Sequence, residues 1–128
     1  MKLIIAGSRG LYRPEAVDAL LGAYSWWASE VVSGCARGAD KAGEAWARDH
    51  GVPVVRFPAD WRRHGRKAGP MRNREMAAYA DALALLWDGE SVGSKHILGV
   101  AKSIGMPWIM ATLAGGVMLF DSGSRSAA

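Results

Sequence analysis

The chain has 128 residues and a net charge of +4; half of its residues are apolar and 22% are charged. That composition fits one soluble globular domain rather than two, and a domain of this size buries roughly two-thirds of its unfolded surface without a metal or a disulfide. A single cysteine excludes an internal disulfide and fits a reducing compartment. The opening MKLIIAGSRG is too short an apolar run for a signal peptide. The longest apolar stretch, residues 106–120, is interrupted by Pro107 and Gly115-Gly116 and falls short of a membrane span. These features predict a cytoplasmic protein with no membrane partner.

In chain order, residues 2–6 form a short apolar run ended by Gly7, the pattern of a buried strand. Pro14-Glu15 suits the first turn of a helix, and Val17, Leu20, Leu21 and Tyr24 follow at helical spacing. Trp26 and Trp27 close that helix, one packing inward and the other marking a candidate homodimer face. Residues 30–33 predict a second strand. Asp40 is placed to cap a helix that Gly51 and Pro53 stop. Residues 52–57 predict a third strand and residues 58–69 a polar, basic loop. Pro70 then suits the first position of a helix through Met76 and Ala80.

Residues 82–87 predict a fourth strand, ended by Asp88-Gly89. Ser94 is placed to cap a helix bearing Ile97, Val100, Ala101 and Ile104, which Gly105 and Pro107 end. Residues 108–112 predict a fifth strand, and Gly115-Gly116 a turn into a short last one at 117–120. Residues 121–128 are small and polar and predict a frayed tail. Strand and helix alternate throughout, and the strands are continuously apolar. The fold class expected is therefore α/β: a single Rossmann-like domain over residues 1–120, with a mostly parallel sheet flanked by helices on both faces.

Charge is concentrated. Seven basic residues and one acid lie between Arg56 and Arg74, so this segment carries +6 and the rest of the chain −2. A compact cationic cluster suggests an anionic ligand. In a doubly wound sheet, ligands bind beyond the carboxyl ends of the strands. Those ends carry Gly7-Ser8-Arg9-Gly10, then Gly34 through Arg37, Gly38 and Asp40. They also carry the basic segment with Lys67, Arg72 and Asn73, and Asp88-Gly89 through Gly93-Ser94. Glycines let backbone N–H groups approach phosphate, helix N-termini add positive charge, and arginines add fixed forked donors. Asp40 also suits a ribose hydroxyl, and Trp61 and Trp87 suit stacking on a base. Neither glycine loop is a Walker A or GxGxxG motif.

Other chemistries find less support. His50, His64 and His96 lack zinc spacing, which predicts no metal, and read as surface or helix-end residues. A helix N-terminus and Arg37 would lower the Cys35 thiol pKa, although a small residue packed under the loop is the simpler reading. The pairs IIAGSRG and VVSGCARG form a faint internal echo.

Taken together, IAGSRG, SGCARGADKAGEAWA and FPADWRRHGRKAGPMRNREMAAYADALALLWDGESVGSKHIL resemble the SLOG superfamily of Rossmann-like proteins, specifically its YspA-type, cpYpsA-related branch. The resemblance spans about residues 2–112, and residues 68–76 are its most specific run. It implies binding of a nucleotide or nucleotide-derived ligand at the strand ends. Relatives in the superfamily include the Lonely Guy phosphoribohydrolases and the DNA-processing protein A family, which binds single-stranded DNA. Arg72 matches the Lonely Guy arginine, but Ile97 stands where its partner glutamate is implied, which leaves Glu90 as the substitute candidate. The expected function is thus nucleotide binding, with no other cofactor expected. An N-glycosidic hydrolase using Arg72 and a carboxylate (Glu75, Asp88 or Glu90) is one rival. A single-stranded nucleic-acid binder is a less favoured one, since it needs a longer basic and aromatic track.

Overall fold

A computed structural model describes residues 1–123. Six strands form one sheet: β1 (Lys2–Gly7), β2 (Glu30–Ser33), β3 (Val54–Arg56), β4 (Ala82–Trp87), β5 (Trp108–Ala114) and β6 (Val117–Gly123). The spatial order is β3-β2-β1-β4-β5-β6. The first five strands pair in parallel, and β6 returns antiparallel to β5. The helices are α1 (Pro14–Tyr24), α2 (Ala39–Asp49), α3 (Trp61–His64), α4 (Ala68–Tyr79) and α5 (Val92–Ser103).

The continuous apolar strands are explained by two cores. Leu3 and Ile5 face one side, where Val17, Leu20 and Leu21 of α1 and Ala42 and Trp46 of α2 cover them. Ile4 and Ala6 face the other side, against Met76 of α4 and Ile97, Leu98 and Ala101 of α5. Successive residues of a strand point to opposite faces, so a strand covered twice must be apolar at every position. The expected α/β architecture is what the chain forms. Its chain path reverses between β1 and β4, and their carboxyl ends, Gly7 and Trp87, frame the crevice that a doubly wound sheet opens at such a point.

Several boundaries differ from the sequence reading. The basic loop contains α3 and a 3-10 turn, Gly65–Lys67. The Asp60 carboxylate accepts from the Arg63 amide at 3.1 Å and caps α3. α4 begins at Ala68, two residues before Pro70, which is tolerated because the first helical N–H groups have no intrahelical partner. Ser91, not Ser94, caps α5: its hydroxyl accepts from the Ser94 amide at 3.4 Å. Asp40 lies inside α2 rather than capping it, and Gly38 occupies the cap. β3 is shorter than expected.

α1 ends at Tyr24, with Ser25 in the left-handed region at φ 55°. Beyond it Trp26 packs against the first core, while Trp27 is 64% exposed. β6 runs on through residues 121–123, which the sequence reading assigned to the tail, because Gly123 pairs with Trp108 and leaves room for its ring. The rest of that tail, 124–128, lies outside the described residues. Among the described residues, no helix is long and apolar enough to cross a membrane.

Candidate functional site

The loops that leave β1 and β2 meet at the crevice. In the first, the Ser8 hydroxyl accepts from the Asp88 amide at 3.0 Å, tying it to the end of β4. The Ser8 carbonyl accepts from Ala39 at the start of α2 at 3.1 Å, joining it to the second loop. Gly38 has φ 78°, and a Cβ there would overlap the Arg9 carbonyl, so the two loops touch backbone to backbone.

The second loop closes around an acid. Asp40 is 4% exposed, and its Oδ2 accepts from the Ala36 amide at 3.1 Å. Burial pushes its carboxyl up to about 6, against the opposing pull of the Ala36 amide, the Arg72 guanidinium and the Gly7 amide. A Cβ at Gly34 would lie 2.6 Å from Arg72 Nη1 and 2.8 Å from Asp40 Oδ2. Only glycine lets both groups reach this point.

Arg72 extends from the first turns of α4. Its Nη1 donates to the Gly34 carbonyl, and its Nε donates to Asn73 Oδ1 at 3.0 Å. An arginine only donates, so Asn73 must present its oxygen here and its amide nitrogen to His96 Nδ1, 3.0 Å away. His96 Nδ1 therefore accepts, and the ring proton sits on Nε2. Burial, with the nearby charge of Arg74, keeps His96 below its ordinary pKa and so neutral. Sequence reasoning missed this relay. Nothing in the spacing of Asn73 and His96 marks it, since it depends on α4 and α5 lying side by side.

A cavity of about 550 Å³ opens over these groups. Ala6, Pro70, Met76 and Ile97 give it an apolar floor, and Arg9, Arg66, Arg72, Asp40, Asp88 and His96 give it polar edges. A second cavity of about 390 Å³ adjoins it, sharing Arg9, Ala36, Trp61 and Arg72 as a waist and adding Gly34 and Arg37. Of the residues expected at the site, Gly7, Arg9, Asp40, Arg72, Asn73, Asp88, Gly93 and Ser94 line the larger lobe, and Gly34 and Arg37 the smaller. Ser8 and Gly38 lie behind the lining, where they brace the loops. Lys67, Gly89 and Glu90 line neither lobe; Arg66 takes the place expected of Lys67.

Asp88 Oδ1 accepts from the Glu90 and Ser91 amides at 2.8 and 2.9 Å, which holds its carboxyl below the usual range. Cys35 differs from the activated thiol considered above. Burial, reinforced by the charge of Glu44, raises its pKa. Arg56 also leaves the basic cluster: Glu44 binds it at 3.1 Å on the far side of the second loop. Trp87 packs into the second core and donates to the Ser91 carbonyl at 3.2 Å, whereas Trp61 is half-exposed at the waist. Among the described residues, no group of His, Cys, Asp and Glu could hold a metal ion.

Fold and crevice define a Rossmann-like α/β protein with a cationic, two-lobed cleft at its strand ends. The YspA, cpYpsA-related SLOG family model matches residues 1–64. The chain is also similar to the Gene 61 protein of Mycobacterium phage D29. The two are 44% identical over 85 residues, an alignment covering 62% of this chain and 68% of the phage protein. The chain belongs to the YspA, cpYpsA-related SLOG family, and this membership points to a nucleotide-related function. The family match ends before residues 68–76, so the arginine of α4 stands on geometry alone.

Proposed function

We propose that this chain binds a nucleotide or phosphorylated nucleoside derivative in the two-lobed cleft. The observation that carries the reading is the convergence of Arg9, Arg37 and Arg72 on two adjoining lobes, the larger of them apolar-floored. Arg9 and Arg37 come from the loops after β1 and β2, and Arg72 from α4. Arginine forks suit phosphate, an apolar floor suits a base, and Trp61 at the waist offers a stacking face. A ligand that binds only the folded state stabilises it by about 2.7 kcal/mol at one hundred times its Kd. Thermal melts with AMP, ADP, ADP-ribose, NAD and cyclic nucleotides should therefore show a rise of several degrees that Arg72→Ala abolishes. No shift with any of them at millimolar concentration defeats the reading.

One observation favours a second reading, N-glycosidic hydrolysis. Cleavage builds positive charge on the ribose, which a carboxylate stabilises. Ile97 lines the cleft and cannot serve, and Glu90 lies outside it, but Asp40 lines it close to Arg72. Incubation with AMP and chromatography for free adenine tests this. Release abolished by Asp40→Asn but not by Glu90→Gln supports hydrolysis; no release leaves binding alone.

A further inference from the structure

The two lobes divide charge unequally. Arg9, Arg37 and Arg72 line the smaller lobe, and no carboxylate does. The larger lobe, with its apolar floor, adds Arg66 to the shared arginines, but both site carboxylates, Asp40 and Asp88, face it and offset that charge. Arg9 and Arg72 border both, so positive charge runs unbroken from the waist into the smaller lobe. Arg9 and Arg37 are exposed and form no salt bridge among the described residues.

Resting on the nucleotide reading above, we infer that the ligand contains a nucleoside 5′-diphosphate moiety. Its nucleoside lies in the larger lobe, its first phosphate at the waist between Arg9 and Arg72, and its second phosphate in the smaller lobe beside Arg37. Placement decides the number of phosphates. A single phosphate at the waist meets Arg9 and Arg72, which border both lobes. Arg37 lines the smaller lobe alone, and a second phosphate is what meets it there.

Space agrees. A phosphate fills about two water volumes of about 30 Å³ each, a minor part of the 390 Å³ lobe. Orientation follows from the carboxylates. Asp88 stays ionised under two backbone N–H groups and makes the larger lobe less favourable to phosphate than the carboxylate-free smaller one, while suiting ribose hydroxyls. The same chemistry arises from a free nucleoside diphosphate and from a molecule whose second phosphate carries another sugar.

Isothermal titration of the full chain at about 0.15 M salt, where surface charges are screened beyond about 8 Å, tests this. The probes are AMP, ADP and ADP-ribose, with GMP and GDP to allow for the base, and inorganic phosphate against pyrophosphate to remove it. The diphosphate members should bind at least tenfold tighter than their monophosphate counterparts. Arg37→Ala should weaken the diphosphates at least tenfold and the monophosphates less than threefold. Arg62→Ala, outside both lobes, should change neither.

ADP tighter than ADP-ribose identifies a terminal diphosphate, and the reverse order an esterified one; either supports the assignment. Equal affinity for mono- and diphosphates, or equal weakening of both by Arg37→Ala, overturns it and leaves the nucleotide reading standing. No binding of any probe overturns both.

Discussion

The two glycine–arginine loops share a sequence pattern and differ in how they are built. After β1, Gly7 packs so closely on β4 that a Cβ would overlap the Leu86 carbonyl, and Ser8 binds the Asp88 amide. The loop is braced from outside, by neighbouring backbone. After β2, Arg72 also holds the Gly34 carbonyl from α4, but the loop adds bracing of its own: Ser33 accepts from the Cys35 amide at 3.1 Å, and Asp40 from the Ala36 amide at 3.1 Å. Amides that the sequence pattern offered to a phosphate already have protein acceptors. Each motif thus delivers its arginine, Arg9 or Arg37, to the cleft, while an acid rather than an empty anion cradle occupies the second loop.

The harshest way to break this comparison is to add a methyl group where the first loop meets its neighbours. Gly7→Ala would drive a Cβ into the Leu86 carbonyl, and Gly38→Ala would drive one into the Arg9 carbonyl at φ 78°. Neither contact is the end of a flexible side chain that can yield. Each substitution should lose about 4 kcal/mol or more, the range that marks severe backbone or packing disruption. Gly10→Ala meets nothing within 4 Å and should stay within about 0.5 kcal/mol of the parent. Urea denaturation of the three variants measures this. A mild Gly38→Ala would mean that the two loops do not hold each other.

A smaller effect separates the loops by pH. The second loop encloses Asp40, whose carboxyl is raised from 3.8 to about 6. The folded state then binds its proton more tightly than the unfolded state, so the contribution of Asp40 to stability is highest below about pH 4. It falls as pH rises to about 6 and is level beyond. The full difference of about two units corresponds to about 3 kcal/mol as an upper bound. Asp40→Asn keeps an oxygen for the Ala36 amide and removes the titration. Its melting temperature should therefore gain on the parent between pH 4 and pH 7. Parallel melting curves for the two proteins across that range would show that Asp40 titrates normally and that the loop tolerates its charge.

The sequence displayed the fold because the central strands are continuously apolar, β1 over residues 3–6 and β4 over residues 82–87, which a sheet covered on both faces requires. It displayed Arg9, Arg37 and Arg72 because each follows a glycine- or proline-marked turn. It hid the partners of those residues. Asp40 reads as a helix cap but lies two residues beyond the real cap, Gly38, and only the closure of Gly34 under Arg72 shows that it is buried in the cleft. His96 reads as a surface residue because its environment comes from Asn73, a helix away. The basic segment looked like one cluster, yet Arg56 turns to Glu44 and Arg66 to the cleft. Charge runs are visible in a sequence; which way each side chain turns depends on a partner supplied by another element.

The finest distinction between the loops lies in their two buried serines. The Ser8 hydroxyl makes one hydrogen bond, accepting from the Asp88 amide. Ser33 makes two: it accepts from the Cys35 amide and donates to Glu44 Oε2 at 2.6 Å. The second is charge-assisted and survives in a half-closed network, since Arg56 and Lys41 also hold Glu44 and keep its carboxyl low despite burial. A neutral hydrogen bond contributes about 1 kcal/mol and one to a charged group about 1.5–3 kcal/mol. Ser8→Ala should therefore lose about 1 kcal/mol and Ser33→Ala about 2 kcal/mol or slightly more. The midpoints of urea unfolding at neutral pH rank them directly, provided both variants keep the parent's slope. If Ser8→Ala proves the more damaging, the bracing of the first loop by β4 outweighs the internal network of the second, and the division drawn between the two loops is reversed.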